Sequence, residues 1–321
     1  HLIHAGGYAA VPFGEAYPAL VEFIRAFLSD NRQLGFPQQS SSEWRAALES
    51  NLVALLSSVA PSHSDSHVFF TNSGAEAIEA AIKMARAHKP NASLFINFAH
   101  AYHGKTLGAL ALTPSEEYQA PFRPLSPDVL TLPYGDEAAL RTALSERGSQ
   151  VVAIVVEPVQ GEGGVISPPD GYLRRVGELA QQHGVLVLAD EIQTGLGRAG
   201  SWFASVTAGF EPDIVTLAKP LGGGMVPIGA VIARKAVFRS LLPGLASKRH
   251  SNTFGGGSLA VAVGLKSLEL LVDERLDERA ARLGAVGLGR LLQIAGAHPN
   301  LIQEVRGAGM LIALTLKPMI G

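Results

Sequence analysis

Residues 185–224 decide the fold, and they read VLVLADEIQTGLGRAGSWFASVTAGFEPDIVTLAKPLGGG. Two continuous apolar runs, at 185–189 and 214–218, are typical of strands buried inside a parallel sheet. Asp190 follows the first run and Lys219 follows the second. Because ligands of open α/β sheets bind at the carboxyl ends of the strands, we expect Asp190 and Lys219 to share one ligand.

A lysine and an aspartate in this position suit a ligand that needs both an amine and an anion. Desolvation lowers the pKa of a lysine, and the neutral amine is the nucleophile that forms a Schiff base. An aspartate can keep a pyridine nitrogen protonated, which makes the ring an electron sink. Pyridoxal 5′-phosphate uses both groups. A buried Lys–Asp ion pair without any ligand is the alternative that the spacing leaves open.

Length and composition narrow the class of protein. The 321 residues, 47% of them hydrophobic, are enough for one large α/β domain with a smaller appendage. A net charge of −2 gives no basic excess for nucleic acid or for an anionic membrane surface. The sequence has no cysteine, no apolar stretch of membrane-spanning length and no signal-peptide pattern at its start. We expect a cytoplasmic protein with no nucleic-acid or membrane partner.

A candidate anion site follows a strand predicted at residues 67–70. The segment TNSGAEA, residues 71–77, leads directly into a helix predicted over residues 75–88. The free N–H groups and the positive dipole end of a helix N-terminus attract an anion. Ser73 could equally be no more than the N-cap of that helix.

Two further strand exits carry candidate ligand-binding residues. The strand predicted at 94–98 precedes AYHGKT, residues 101–106, in which Tyr102 could stack on a flat cofactor or belong to the core. Lys105 could meet a carboxylate as a point charge or be a solvated lysine. The strand predicted at 151–156 precedes EPVQGEGG, residues 157–164, where Glu157 and Glu162 lack the neighbouring His or Cys that a metal site would favour.

Six segments in this order resemble the class III pyridoxal-phosphate aminotransferases, the ornithine, acetylornithine and 4-aminobutyrate group of fold type I. They are NSGAEA (72–77), AYHGKT (101–106), EPVQGEGG (157–164), DEIQTGLGR (190–198), LAKPLGGG (217–224) and HSNTFGG (250–256). Two places depart from the family pattern. FGEAYP (13–18) lacks both histidines of the usual LGHxHP, and Gly257-Ser258 replaces the usual Asn-Pro.

The resemblance implies a fold and a division of the chain. We expect a doubly wound, mostly parallel α/β sheet of seven strands with helices on both faces. The expected segments are a residual N-terminal segment at 1–36, a large cofactor-binding domain at 37–272 and the start of a small C-terminal α+β domain at 273–321, which looks truncated. The family's switch arginine would come after residue 321 and is not assigned.

The resemblance also implies roles for individual residues. Lys219 is expected to carry pyridoxal 5′-phosphate and to shuttle a proton, and Asp190 to hold the pyridine nitrogen. Gln193 is expected to bond the ring hydroxyl and Tyr102 to stack, with His103 and Glu157 close by. The expected phosphate ligands are Ser73, Gly74 and Ala75, completed by Thr253 of a neighbouring subunit in a homodimer. The expected substrate residues are Glu162 and Lys105.

The predicted activity is transfer of a terminal amino group between an amine or ω-amino acid and an aldehyde or 2-oxo acid. Lys105 stands where carboxylate-gripping members tend to use Arg, and a lysine there resembles the diamine-using members. Racemase, decarboxylase or aminomutase chemistry on the same scaffold is one alternative. A non-catalytic dimerisation domain of a longer protein is the other, which the intact Lys219 and Asp190 argue against.

Overall fold

A computed structural model describes residues 7–30, 42–244 and 248–318 of the chain. The strands are His67–Thr71 (β1), Leu94–Phe98 (β2), Asp128–Leu132 (β3), Val151–Val156 (β4), Leu186–Asp190 (β5), Ile214–Leu217 (β6), Gly229–Ala233 (β7), Ile302–Ala308 (β8) and Leu311–Leu316 (β9). The helices are Pro18–Ser29 (α1), Glu43–Ser57 (α2), Gly74–His88 (α3), Leu107–Ala111 (α4), Glu116–Gln119 (α5), Glu137–Arg147 (α6), Tyr172–His183 (α7), Ala204–Thr207 (α8), Lys235–Leu241 (α9), Ser258–Asp273 (α10) and Leu276–Ala297 (α11).

The first seven strands form one sheet in the order β1-β7-β6-β5-β4-β2-β3. Strands β2 to β6 pair in parallel wherever they are neighbours, whereas β7 runs antiparallel to both β1 and β6. The predicted seven-stranded, mostly parallel sheet is confirmed, and β7 is the strand that runs against the others.

Helices cover both faces of this sheet, which explains why its central strands read as unbroken apolar runs. All six residues of β4 are buried. Val155 packs on the face that α3 covers, and Ile154 packs on the opposite face with α6 and α7. On that second face, α2 and α10 cover β1, β6 and β7. The helices cover the two faces, and the loops that carry the polar residues lie at the carboxyl edge of the sheet.

The ends of two central strands differ by one residue from the prediction. The run predicted at 185–189 is a strand at Leu186–Asp190, so Asp190 still belongs to the sheet and lies beside Thr216. The run predicted at 214–218 ends at Leu217, because Ala218 leaves the extended conformation before a short 3-10 helix, Lys219–Gly222. Lys219 therefore begins a tight turn.

The last part of the chain consists of α10, α11 and a two-stranded antiparallel sheet of β8 and β9. The predicted domain boundary at 272/273 falls in the last turn of α10, and the one at 36/37 lies outside the described residues. The three-part division stays a prediction.

No helix in the described ranges has both the length and the apolar character needed to cross a membrane.

Candidate active site

A cavity of about 490 Å³ opens at the carboxyl edge of the sheet. It collects eleven of the twelve residues that the sequence singled out as functional: Ser73, Gly74, Ala75, Tyr102, His103, Lys105, Glu157, Glu162, Asp190, Gln193 and Lys219. The twelfth, Thr253, does not line it. The strand exits thus converge as the sequence predicts.

The centre of the cavity contains a buried ion pair between His103 and Asp190. Nδ1 of His103 lies 2.7 Å from Oδ2 of Asp190, and both side chains are almost fully buried. The other carboxylate oxygen accepts the N–H of Ile192 at 3.1 Å and the hydroxyl of Thr216 at 3.3 Å. Burial alone lowers the pKa of His103, but the hydrogen bond and charge of Asp190 outweigh it and raise that pKa. These contacts hold the carboxylate of Asp190 in place.

Glu157, at the end of β4, is a second buried carboxylate beside this pair. Its oxygens accept the backbone N–H groups of Tyr102 at 3.0 Å and Gly161 at 3.4 Å. Burial raises the pKa of Glu157 to about 7; the negative charge of Asp190 raises it too, and His103 opposes the shift. Glu157 is therefore close to half protonated at neutral pH.

Lys219 enters the cavity from an unusual backbone conformation. Its φ of 25° lies in the left-handed region, which residues other than glycine adopt rarely and at an energetic cost. Burial lowers the pKa of Lys219, while Asp190, Glu162 and Glu157 partly oppose the shift. A lower pKa increases the fraction of neutral amine, which is the nucleophilic form.

The N-terminus of α3 forms one wall of the cavity. Ser73 is the N-cap of this helix, because its hydroxyl accepts the N–H of Glu76 at 3.2 Å. The carboxylate of Glu76 turns back and accepts the backbone N–H of Asn72 at 2.9 Å. The N-cap interpretation of Ser73 is thus correct, and it leaves the first N–H groups of the helix, at Gly74 and Ala75, for an anion.

Gln193 and Glu162 face each other across the cavity. Nε2 of Gln193 donates to Oε1 of Glu162 at 3.3 Å. The backbone of Gly161 lies against the same glutamine, and a Cβ atom added there would overlap Oε1 of Gln193. Gly161 is required for this placement of Gln193.

Two residues that the sequence reasoning missed support the predicted ones. Tyr118 presents its ring to Lys105, whose Nζ lies 3.8 Å from the ring centroid. Glu191, fully buried, accepts the N–H and the hydroxyl of Ser205 at 2.7 Å each and bonds the hydroxyl of Thr194. It thereby folds the segment after Asp190 back on itself. The sequence offers little to mark these two residues. Tyr118 is an aromatic residue in the segment between β2 and β3, and Glu191 is a second acid directly after β5.

Thr253 lies on an exposed turn outside the cavity. Asn252 fixes this turn: its amide donates to the carbonyl of Phe70 at 3.2 Å, and its side-chain oxygen accepts the N–H of Gly255 at 2.5 Å. The neighbouring Phe254 is 73% exposed. Within one chain, Thr253 does not contribute to the cavity.

Comparison with known proteins identifies the family. The model of the class III aminotransferases matches residues 3–319. Ornithine aminotransferase from Toxoplasma gondii is 32% identical, with a TM-score of 0.88 over 98% of this chain and 73% of that one. Acetylornithine aminotransferase from Elizabethkingia anophelis is 33% identical, with a TM-score of 0.83 over 98% and 75%. An amine transaminase from an uncultivated Pseudomonas species, in its PLP-bound form, is 27% identical, with a TM-score of 0.88 over 98% and 76%.

The fold is that of the fold type I aminotransferases, and the chain belongs to the class III aminotransferases. The predicted family, fold class, pyridoxal 5′-phosphate cofactor and aminotransferase activity are confirmed. The roles of the individual residues in the cavity stay predictions.

Gly161→Ala is expected to displace Gln193, because the added methyl group would overlap its side-chain oxygen. The Gln193–Glu162 hydrogen bond should be lost, and affinity for pyridoxal 5′-phosphate should fall by about 1 kcal/mol, the worth of one hydrogen bond. Crystallography and equilibrium dialysis would measure both. Gly289→Ala, where an added Cβ meets open space, is the control. If Gln193 kept its position in Gly161→Ala, the predicted overlap between a side chain at residue 161 and Gln193 would be wrong.

Glu157→Gln is expected to remove a pH dependence of stability. The folded protein raises the pKa of Glu157 from 4.5 to about 7, so its stabilising contribution is complete below pH 4.5 and is lost as the pH rises through 7. Between pH 4.5 and 8, wild type should lose about 3 kcal/mol relative to Glu157→Gln in urea unfolding of ligand-free protein.

The exposed Glu146→Gln is the control for this titration. A difference between wild type and Glu157→Gln that does not change with pH would show that Glu157 ionises normally.

Proposed function

We propose that this aminotransferase moves a terminal amino group between an amine or ω-amino acid and an aldehyde or 2-oxo acid. One observation carries the proposal: Lys219, with a lowered pKa, opens on the same cavity as Asp190, whose carboxylate lies 2.7 Å from Nδ1 of His103. Buried charges cost free energy even when they are paired, so the gathering of Lys219, Asp190 and Glu157 at one cavity supports a site that binds a ligand.

The residues of the cavity fit the cofactor. The N-terminus of α3 offers backbone N–H groups to its phosphate, and the backbone there is closely packed. A Cβ at Gly74 would approach Cδ1 of Ile192 to 2.9 Å, and one at Gly229 would overlap the carbonyl oxygen of Ser73. Lys219 supplies an amine for the aldehyde, and Asp190 supplies an anion for the pyridine nitrogen.

Bound pyridoxal 5′-phosphate supplies an aldehyde that exchanges amino groups and a ring that stabilises negative charge on the substrate carbon. Asp190 would hold the ring nitrogen in its protonated form, with His103 fixing the carboxylate. Gln193 would reach the ring hydroxyl, and Tyr102 would cover one ring face. Lys219 would hold the cofactor at rest and, as a neutral amine at Nζ, accept a proton from the substrate carbon that bears the amino group.

The charges around the cavity favour a substrate whose far end is an amine. The carboxylate of Glu162 lines the cavity, and it can accept hydrogen bonds from a distal ammonium group. The ammonium of Lys105 lies on the ring of Tyr118, where a cation–π contact stabilises it away from a carboxylate clamp. Diamines therefore suit this cavity better than amino acids.

The active unit would be a homodimer in which Thr253 serves the phosphate of the neighbouring subunit. The support is the exposure of Thr253, outside its own cavity, on a turn that Asn252 fixes. The adjacent exposed Phe254 offers apolar surface for such a contact. We also propose a cytoplasmic location for the protein.

Lys219→Ala is expected to lower the rate of amino transfer at least about 100-fold, because the general base is lost. The variant should also release the cofactor on dialysis, followed by its visible absorbance. Lys317→Ala, an exposed lysine, is the control. Repeated turnover of Lys219→Ala at the wild-type rate would refute the assignment, and retained cofactor with no amino transfer by wild type would favour another class III reaction.

The donor preference can be read from single half-reactions of the wild type. Absorbance changes of the bound cofactor would be followed with 1,4-diaminobutane, butylamine, ornithine and 4-aminobutyrate. We expect the diamine to react fastest, because Glu162 meets its distal ammonium, and Lys105→Arg to shift the preference toward 4-aminobutyrate through bidentate carboxylate binding. Fast reaction with only the two amino acids would overturn the diamine proposal.

Thr253→Ala is expected to weaken cofactor binding by about 1–3 kcal/mol, since a charged group loses a donor. A mixed dimer tests which subunit it serves. One subunit carries Lys219→Ala and the other Thr253→Ala, with different affinity tags for purification. If Thr253 acts across the interface, the subunit with intact Lys219 regains wild-type cofactor affinity. A weak site in that mixed dimer would place Thr253 in its own subunit's site.

A further inference from the structure

The hairpin of β8 and β9 reaches from the end of the chain to the loop that carries Glu162. Nε of Arg306, on β8, donates to the carbonyl oxygen of Gly164 at 2.7 Å. The same guanidinium donates through Nη1 to Glu304 at 2.7 Å and to the hydroxyl of Thr315 at 2.9 Å. Its own hairpin thus orients Arg306, and Arg306 in turn holds the loop.

That loop, residues 161–165, is tight and strained. The N–H groups of Gly164 and Val165 both donate to the carbonyl of Gly161 at 3.1 Å. Gly164 has φ of 114° and Val165 has φ of 55°, a conformation that a β-branched residue adopts only when its surroundings enforce it. A Cβ at Gly164 would lie 2.9 Å from Nη2 of Arg306, so the contact depends on glycine.

The same hairpin also contacts the loop that follows Gln193. The N–H of Met310 donates to the carbonyl of Arg198 at 3.0 Å. Gly309 packs so closely on Ala199 and Gly200 that a side chain there would overlap their backbone. The hairpin therefore fixes two loops, and these loops present Gln193 and Glu162 to each other at 3.3 Å.

We infer that Arg306 is a positioning residue that holds Glu162 toward the cavity and thereby sets the preference for substrates with a distal ammonium group. The inference rests on the proposed function for its substrate class. The bond from Arg306 is the one described hydrogen bond between the hairpin and the Gly164 carbonyl. When it is lost, the strained loop can relax. Glu162 then no longer presents its carboxylate at a fixed place.

Selectivity is the kinetic test. The ratio of kcat/KM for 1,4-diaminobutane to that for butylamine isolates the distal ammonium, since the two donors differ only there. Arg306→Met should lower this ratio about 10-fold, the scale of one charge-assisted hydrogen bond, mainly through KM for the diamine. Arg306→Lys should restore part of it. Arg290→Met, an exposed arginine on α11, should leave the ratio unchanged.

Coupling to Glu162 distinguishes positioning from a general loss of structure. Glu162→Gln should lower the same ratio, and adding Arg306→Met to it should cause no further fall, because both changes remove one interaction. An unchanged ratio in Arg306→Met, or a fall that multiplies with that of Glu162→Gln, would overturn the inference.

Hydrogen exchange tests the contact without any turnover. Peptides covering residues 161–166 of the cofactor-loaded protein should exchange faster in Arg306→Met and in Gly164→Ala than in wild type or Arg290→Met. Unchanged exchange in both loop-releasing variants would refute the positioning role. If these variants exchange faster but the wild-type protein transfers no amino group, the contact between Arg306 and the loop is supported and the proposed function is rejected.

Discussion

The buried pair of His103 and Asp190 is the interaction on which the site depends. Three neighbouring strands, β2, β4 and β5, deliver His103, Glu157 and Asp190 to one edge of the sheet. Isolated charges would be costly at this depth, and the 2.7 Å contact offsets that cost for His103 and Asp190. Burial raises the pKa of Glu157 to about 7, and the charge of Asp190 adds to this shift while His103 opposes it. The same surroundings thus hold Asp190 against His103 and favour the neutral form of Glu157.

The sequence predicted the architecture because the determining signals are local. A strand covered on both faces must be apolar throughout, so β4 to β6 could be recognised, and their polar exits pointed to the ligand edge. Eleven of the twelve predicted residues then met in one cavity.

What the sequence could not show depends on side-chain direction and on contacts between distant segments. Nothing in the spacing of His103 and Asp190 states that they face each other. Two other contacts also depend on how separate segments come together. The ring of Tyr118 lies against Lys105, and Glu191 accepts hydrogen bonds from Ser205. The φ of Lys219 is imposed by the turn that ends β6, and no pattern of residue types encodes it. Thr253 depends on a second chain, and its role stays a prediction.

The reversed strand β7 also sets an order for assembly. Thr71, at the end of β1, pairs with Gly229, and among the described strands β7 alone neighbours β1 in the sheet. During synthesis β1 emerges early but lacks its partner until β2 to β6 have all been made. Contacts between such distant segments form slowly, because a long loop must close first. Since Gly229 also lies against the carbonyl of Ser73, the end of the cavity proposed for the phosphate is completed only after the parallel core is in place. A nascent chain arrested before residue 229 would therefore contain Lys219 and Asp190 but lack the finished N-terminal end of α3 that is proposed to bind the phosphate.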